Sequence, residues 1–367
     1  MDIGVSSSKG ISAVQPGMHV YPGYVIGCFL AAWLLVCGLA AAEPVRIIFD
    51  TEMSSDIDSA GALAVLHHLA DLGEADILAC VSDAVEPDHA IAATMSAINT
   101  YYGRPQIPIG AYQSSAIRPG KSHYTSLIRD EFPQHMPPDD KAPAALAVYR
   151  AALAAAPDNS IQIVSLGFLI NLRNLLESKA DAISPLAGPD LVRKKVKQLV
   201  VVGGYFPHDN DPKRTLAEYN FAGSANAGGP DTQFVIEHWP TEILFSGAEL
   251  AQGICTGQSL VVTGTANPVR RIFELTGGLK NGRSSWCQTA VLAAVRDPQL
   301  YWEIKRDGYC AVSLNGQSSW TPVPHRGHSY LITKVPQPEM ARIIGEMMAA
   351  PPSLPVRPGG PPASPAR

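Results

Sequence analysis

The chain has 367 residues, of which 46% are apolar, and this is enough apolar sequence for one large core or two smaller ones. Its 28 basic and 33 acidic residues give a formal charge of −5, without a basic run or a basic patch interleaved with aromatic residues. This charge pattern excludes an extended nucleic-acid surface and favours small-molecule partners.

The first 42 residues differ from the rest of the chain. Val25–Ala42, "VIGCFLAAWLLVCGLAAA", is an uncharged apolar stretch that ends in three alanines before Glu43. Small residues after an apolar run are typical of a signal-peptide cleavage site, so we predict export to the periplasm or the extracellular space. The alternative is an N-terminal membrane anchor, because a stretch of this length is near the lower limit for crossing roughly 30 Å of hydrocarbon.

Short β-branched runs alternate with helical segments between residues 43 and 350. The predicted strands are 45–50, 77–82, 107–111, 161–166, 198–204, 241–247 and 329–334. The predicted helices run from Ser59 to about Leu72, through "AIAATMSAINTYY", over 144–155, and through "INLRNLLES", "NPVRRIFEL", "WCQTAVLAAV" and a last helix, with a proline-rich interruption at 130–143. This order predicts one α/β domain with a mostly parallel central sheet flanked by helices. Residues 351–367, rich in proline and glycine, are predicted to be a disordered tail.

Four cysteines follow the N-terminal segment, far apart and without C-x-x-C spacing, so no zinc site is predicted. Cys80 lies in an apolar strand, where a buried free thiol is expected. Disulfides are the alternative for four cysteines in an exported chain.

An acidic loop, "DTEMSSDIDS", places Asp50, Glu52, Asp56 and Asp58 within nine positions. It joins a predicted strand to a predicted helix, at the edge of the sheet where α/β proteins bind ligands. Like charges this close repel unless a cation or a set of donors compensates them, and a hard divalent ion takes about six to eight oxygen ligands. Helix capping by Asp58 or Ser59 is the alternative, but it does not account for the two acids that precede the helix by a full loop.

An acid at the end of the first strand, with another two residues later, is also how phosphatases of the haloacid dehalogenase type begin. Those enzymes require Asp-x-Asp, whereas the second acid here is Glu52. Their later glycine-rich, acid-bearing segment is not visible in this sequence. We therefore do not favour a phosphatase.

The ordered set of segments resembles the nucleoside hydrolase family (inosine-uridine preferring), in its divergent bacterial form. The segments are "RIIFDTEMSSDIDSAGALAVLHHLADLGEADILACVSDA", "INTYYGRPQIPIGA", "IVSLGFLINLRNLL", "LVVVGGYF", "LAEYNFAGSANA" and "GRSSWCQTAVLAAVRD". The resemblance implies hydrolysis of the N-glycosidic bond of a ribonucleoside or related N-riboside. The bond would be cleaved by a metal-activated water through an oxocarbenium-like transition state, with calcium held in the acidic loop. It also implies a homo-oligomer, since relatives are commonly dimers or tetramers.

The resemblance assigns candidate roles residue by residue. The candidates are Asp58 and Asp56 for catalysis, Asp83, Glu218 and Asn220 for substrate binding, and Asp50, Glu52, Asp58, the backbone carbonyl of Ile170, and Cys287 for calcium. Candidates for the acid that protonates the leaving base are His208, His325 and His328, and Trp286 is a candidate for stacking on the base.

Three positions depart from the family pattern. Ser59 and Cys287 stand where the family has metal-binding aspartates, and Glu52 is one methylene longer than aspartate. A thiol is a soft, mostly protonated ligand that suits calcium badly, so we predict a weakened calcium site. The alternative function is a catalytically impaired nucleoside- or sugar-binding protein on the same scaffold.

Overall fold

The computed structural model describes residues 43–54, 56–114, 124–206, 217–223 and 227–353. The predicted export segment, most of the predicted tail and His208 lie outside these ranges. Within them, every helix is too short or too polar to cross a membrane.

Nine strands form one central sheet, and two short strands form a separate ladder. The strands are β1 (Val45–Thr51), β2 (Ala75–Ser82), β3 (Ile109–Ala111), β4 (Ile161–Ser165), β5 (Val196–Val202), β6 (Glu242–Ser246), β7 (Cys255–Thr256), β8 (Arg283–Ser284), β9 (Trp302–Val312), β10 (Ser318–Pro322) and β11 (His328–Thr333). The order in the large sheet is β10, β9, β11, β6, β5, β4, β1, β2, β3. All neighbours from β3 to β11 pair in parallel, and β9 pairs antiparallel with both β11 and β10.

Helices cover both faces of the sheet. They are α1 (Asp58–Asp71), α2 (Ile91–Tyr101), α3 (Thr125–Glu131), α4 (Ala145–Ala155), α5 (Ile170–Glu177), α6 (Gly188–Lys195), α7 (Tyr219–Ala222), α8 (Gly229–His238), α9 (Ala248–Ala251), α10 (Pro268–Leu275), α11 (Gly278–Asn281), α12 (Trp286–Val295) and α13 (Gln337–Ala349). Single 3-10 turns occur at Asp139–Lys141, Gln258–Val262 and Pro298–Leu300. The predicted fold class, one α/β domain with a mostly parallel sheet, is confirmed.

The central strand β1 shows why the sheet is covered on both sides. Ile47 and Phe49 belong to the core under α1 and α12, whereas Ile48 belongs to the core under α4 and α5. All three side chains are fully buried. A strand buried on both faces reads as a continuous apolar run, and "IIF" (47–49) has this pattern.

The sequence predictions missed the antiparallel end of the sheet. Strands β9 and β10 lie between the predicted helix "WCQTAVLAAV" and the predicted strand 329–334, and β9 has an irregular burial pattern with three consecutive exposed residues. Ser353, the third residue of the predicted tail, contacts the domain, since its N–H donates to Asp71 at 2.9 Å.

All four cysteines in the described part of the chain are free thiols, so the disulfide alternative is wrong for them. Cys80 is buried, as predicted from its strand.

Candidate active site at the carboxyl edge of the sheet

The predicted site residues gather where the parallel strands end. Asp50 lies beside Ser165 of β4, and the next residue, Thr51, lies beside Ser82 at the end of β2. Five acids near this edge have side chains shielded from solvent: Asp50, Glu52, Asp58, Asp83 and Glu218. The clustering predicted from the acidic loop is therefore present, and Asp83 and Glu218 join it from β2 and from the loop after β5.

Two donors hold the carboxyl group of Asp50. The Tyr149 hydroxyl donates to Oδ2 at 2.7 Å, and the Asn171 side-chain amide donates to Oδ1 at 3.0 Å. Complete burial nevertheless raises the Asp50 pKa to about 7, because desolvation outweighs these hydrogen bonds. Asn171 also donates to the Ser82 carbonyl at 2.9 Å, which ties the ends of β1 and β2 to α5.

The start of α1 does not show the helix capping that was the alternative explanation of the acidic loop. Its N-cap is Ile57, which makes no side-chain capping hydrogen bond. Asp58 instead accepts a hydrogen bond from the backbone N–H of Cys287 at 3.0 Å, and the Ser59 hydroxyl lies 3.7 Å from the Cys287 sulfur. The two residues predicted to stand at aspartate positions are therefore neighbours, although 228 positions separate them.

The environment of this pair disfavours charge. Burial and, to a smaller extent, the nearby charge of Asp56 raise the Asp58 pKa to about 7. Burial and the charge of Asp58 raise the pKa of the Cys287 thiol well above its ordinary value. The thiol is therefore protonated at neutral pH.

The turn after β4, Leu166–Gly167, joins the two halves of the site. The Leu166 carbonyl accepts a hydrogen bond from the Asn220 side-chain amide at 3.0 Å and a weak one from the Cys287 thiol at 3.7 Å. A Cβ on Gly167 would lie 2.5 and 2.8 Å from the carboxyl oxygens of Asp83 and 2.8 Å from Cβ of Glu52. Only glycine fits here, because these acids approach the turn from both sides.

Asp83 is the acid with the fewest donors. Neither of its buried carboxyl oxygens makes a hydrogen bond of regular geometry within the described part of the chain. Burial, and then the charges of Asp50 and Glu52, raise its pKa well above the ordinary value, against a smaller opposing effect of the Phe168 backbone N–H. This carboxyl group can therefore accept hydrogen bonds from a ligand.

Glu218 caps the short helix α7. Its carboxyl group accepts hydrogen bonds from the backbone N–H groups of Asn220 at 3.1 Å and Phe221 at 3.0 Å. The Asn220 side-chain amide donates hydrogen bonds to two backbone carbonyls, those of Leu166 at 3.0 Å and Val202 at 2.9 Å. Asn220 therefore braces the loop, and only its Oδ1 remains for a ligand.

Burial raises the Glu218 pKa from 4.5 to about 7, and this predicts an unusual pH dependence of stability. The folded state holds the proton more tightly than the unfolded state, so the stabilisation is complete below about pH 4.5 and is lost as the pH rises to about 7. A shift of this size corresponds to about 3 kcal/mol. We expect Glu218→Gln, which keeps an acceptor oxygen for the cap, to remove this part of the pH dependence in denaturant unfolding.

The control for Glu218→Gln is Glu303→Gln, at an exposed position of β9. It is expected to leave the pH dependence of unfolding unchanged. Equal pH profiles for wild type and Glu218→Gln would contradict the burial effect on this carboxyl group.

Asp56 lies at the mouth of the site beside an arginine. Its carboxylate accepts hydrogen bonds from Nε of Arg283 at 2.8 and 3.1 Å and another from Nη2, and one from the Ile57 N–H at 2.6 Å. The Arg283 guanidinium also lies 5.1 Å from the ring centroid of Trp286. Both Asp56 and Arg283 keep part of their surface in solvent.

The residues at the predicted calcium positions do not fit calcium. Ser59 and the protonated thiol of Cys287 contact each other, and Ile170 is the first residue of α5, so its carbonyl is used within the helix. The Asp50 carboxyl is held by two donors, and one oxygen of Asp58 accepts the Cys287 N–H. Among the described residues, no three Asp, Glu, His or Cys side chains lie close enough together to hold a metal ion.

Of the histidines proposed as leaving-group acids, His325 and His328 are not in this cluster. His328 pairs with Ile243 at the amino end of β6, the opposite edge of the sheet, and His325 precedes it in the same loop. Burial lowers the His328 pKa to about 4, so this imidazole is neutral. Trp286 donates its ring N–H to the Ala248 carbonyl at 2.8 Å, which fixes the ring beneath Arg283.

Sequence reasoning missed four residues that shape the site: Tyr149, Gly167, Asn171 and Arg283. Gly167 and Asn171 lie in "SLGFLINL", next to the predicted residue Ile170, so that segment carried a signal. Arg283 lies in "GRSSWCQTAVLAAVRD", close to the candidates Trp286 and Cys287, whereas nothing near Tyr149 in the sequence indicated a role in the site.

Comparisons with known proteins agree with the fold. No family model matches the sequence, and no curated protein is significantly similar to it. Similar solved structures include a plant nucleoside hydrolase, the PpNRh1 enzyme, with 19% identity and a TM-score of 0.61 over 84% of this chain and 100% of that chain. An inosine-uridine preferring nucleoside hydrolase from Bacillus anthracis has 14% identity and a TM-score of 0.58 over 83% and 99% of the two chains.

A third similar structure is the type III effector protein XopQ complexed with adenosine diphosphate ribose, with 17% identity and a TM-score of 0.56 over 84% of this chain and 94% of that chain. At these identities the likeness concerns the fold. The chain therefore has the nucleoside hydrolase fold.

Proposed function

We propose that this protein hydrolyses the N-glycosidic bond of a ribonucleoside or a related N-riboside. The observation that carries the proposal is the convergence of Asp58, Asp83 and the Glu218 segment at the carboxyl edge of a nucleoside hydrolase fold. These acids come from three separate parts of the sequence. Capping accounts for Glu218 but not for Asp58 or Asp83.

The burial of these acids suits riboside hydrolysis. Positive charge develops on the ribose ring in an oxocarbenium-like transition state, and the oxygens of fixed acidic side chains stabilise that charge, most strongly where the group is ionised. Ribose hydroxyls supply the hydrogen-bond donors that the two oxygens of Asp83 lack within the described residues. The site is therefore matched to a neutral, hydroxyl-bearing sugar.

Asp58 is the residue we assign to the attacking water. A general base works best when its pKa is near the working pH, and the Asp58 pKa of about 7 meets this condition. The Cys287 backbone N–H holds one carboxyl oxygen, Oδ2, at 3.0 Å, which orients the group. The residues at the predicted calcium positions are poor calcium ligands, so we assign no step of the reaction to calcium.

The test is release of free ribose from inosine and from uridine by the purified protein. We expect ribose from at least one nucleoside in the presence of EDTA. We also expect turnover to rise as the pH increases through about 7, where Asp58 loses its proton. Asp76→Asn, at an exposed position of β2, is the control and is expected to match wild type.

Two other outcomes decide against hydrolysis. Calorimetric binding of inosine without any ribose would favour the binding-protein alternative. Neither binding nor ribose would overturn the proposal for nucleosides altogether.

A further inference from the structure

Arg283 places a fixed positive charge at the acidic loop. Its Nε and Nη2 groups both donate to Asp56, in a fork that matches the planar carboxylate. Hydrogen bonding to Asp56, followed by the charges of Asp56 and Asp58, raises the Arg283 pKa, so the guanidinium stays charged. Its charge also acts on Asp58, the first residue of α1.

The surrounding residues fix this guanidinium in place. The ring of Trp286 lies under it at 5.1 Å, and the ring itself is anchored by the hydrogen bond to the Ala248 carbonyl. On the other side, the Tyr124 hydroxyl donates to the Asp56 carbonyl at 2.8 Å and holds the loop. The ion pair is therefore built from ordered partners.

We infer that the Arg283 guanidinium takes the electrostatic place of a divalent cation at this loop, so that the loop is stable without calcium. The inference about the loop does not depend on the proposed function. It rests on that function only where the ligand of the site is taken to be a riboside. It also gives a reason for the uncharged pair Ser59 and Cys287, because a single positive charge cannot balance two more buried carboxylates.

Calcium titration of two variants tests this directly. Ser59→Asp/Cys287→Asp restores carboxylates at both positions but keeps Arg283, and Ser59→Asp/Cys287→Asp/Arg283→Gln removes the competing guanidinium as well. Calorimetry is expected to show no calcium binding to wild type. The triple variant is expected to bind calcium at least about tenfold more tightly than the double variant, because the Arg283 charge acts on Asp58, a residue assigned to the metal.

Calcium binding to wild type, or equal affinities of the double and triple variants, would overturn the inference. No nucleoside enters this titration, so its result is independent of the ribose assay. Failure to find ribose leaves the inference standing, and failure of the calcium titration leaves the proposed function standing.

A second pair of variants covers the case in which the buried aspartates prevent folding. Arg283→Gln is expected to lower the melting temperature, and adding Asp56→Asn to it is expected to restore most of the loss, because the unpaired carboxylate is then removed. Arg271→Gln is the control: this arginine pairs with Glu131 and Glu274 on the surface, so the change is expected to have little effect. An Arg283→Gln melting temperature equal to wild type would also overturn the inference.

Discussion

Replacing Asp58 with asparagine is expected to lower the turnover of a nucleoside substrate by about 10²- to 10⁴-fold, the usual contribution of a general base. An amide cannot take a proton from water, so the chemical step is lost. The amide oxygen can still accept the Cys287 N–H that now bonds Oδ2, so the local geometry is retained. The loss is therefore expected in kcat, with little change in KM, in steady-state ribose release.

The fold of Asp58→Asn is not expected to suffer. Burial raises the pKa of this carboxyl, so its ionised form is unfavourable at neutral pH, and a neutral amide removes that cost. Melting should therefore match or exceed wild type above pH 7. A variant that folds and turns over at the wild-type rate would show that another group activates the water.

Gly167→Ala is expected to reduce turnover by about 10²-fold, because a displacement of about 1 Å at a reacting site has effects of this size. The added Cβ would lie 2.5 Å from Oδ2 of Asp83 and 2.8 Å from Cβ of Glu52, closer than carbon atoms approach in folded proteins. Both acids are buried, so they have little space into which to move. Ribose release and inosine affinity are both expected to fall.

The matched control is Gly264→Ala, where an added Cβ meets nothing within 4 Å. It is expected to keep wild-type turnover and stability. If Gly167→Ala were as active as Gly264→Ala, the close approach of Asp83 and Glu52 to this turn would not matter for the ligand.

Most of the fold follows from local sequence patterns. The parallel strands and their helices alternate in short segments with clear periodicity, and Ile47, Ile48 and Phe49 show the continuous burial of a central strand. Strand β9 escaped prediction because its burial pattern, with exposed Lys305–Asp307 between buried residues, has neither strand nor helix periodicity. Its pairing with β10 and β11 decides its conformation.

The candidate site was predictable only where several charged residues lie close together in the sequence. Asp50 and Asp58 lie in an acidic loop that like-charge repulsion makes conspicuous, and the strand ends bring them to one edge. Tyr149 and Arg283 contact that loop from 99 and 227 positions away in the sequence. The sequence of the loop itself therefore does not indicate them. A poor set of calcium ligands was predicted from single residues, whereas the Arg283–Asp56 pair required the structure.

The most direct test of the central claim is a crystal structure of the Asp58→Asn protein soaked with inosine. The buried acids are expected to form one riboside pocket. The ribose hydroxyls should then lie within hydrogen-bond distance of Asp83, beside the turn at Gly167 and facing the Glu218 segment. Inosine bound at another part of the surface, with Asp83 and the turn still in direct contact and no room for a sugar, would contradict the account.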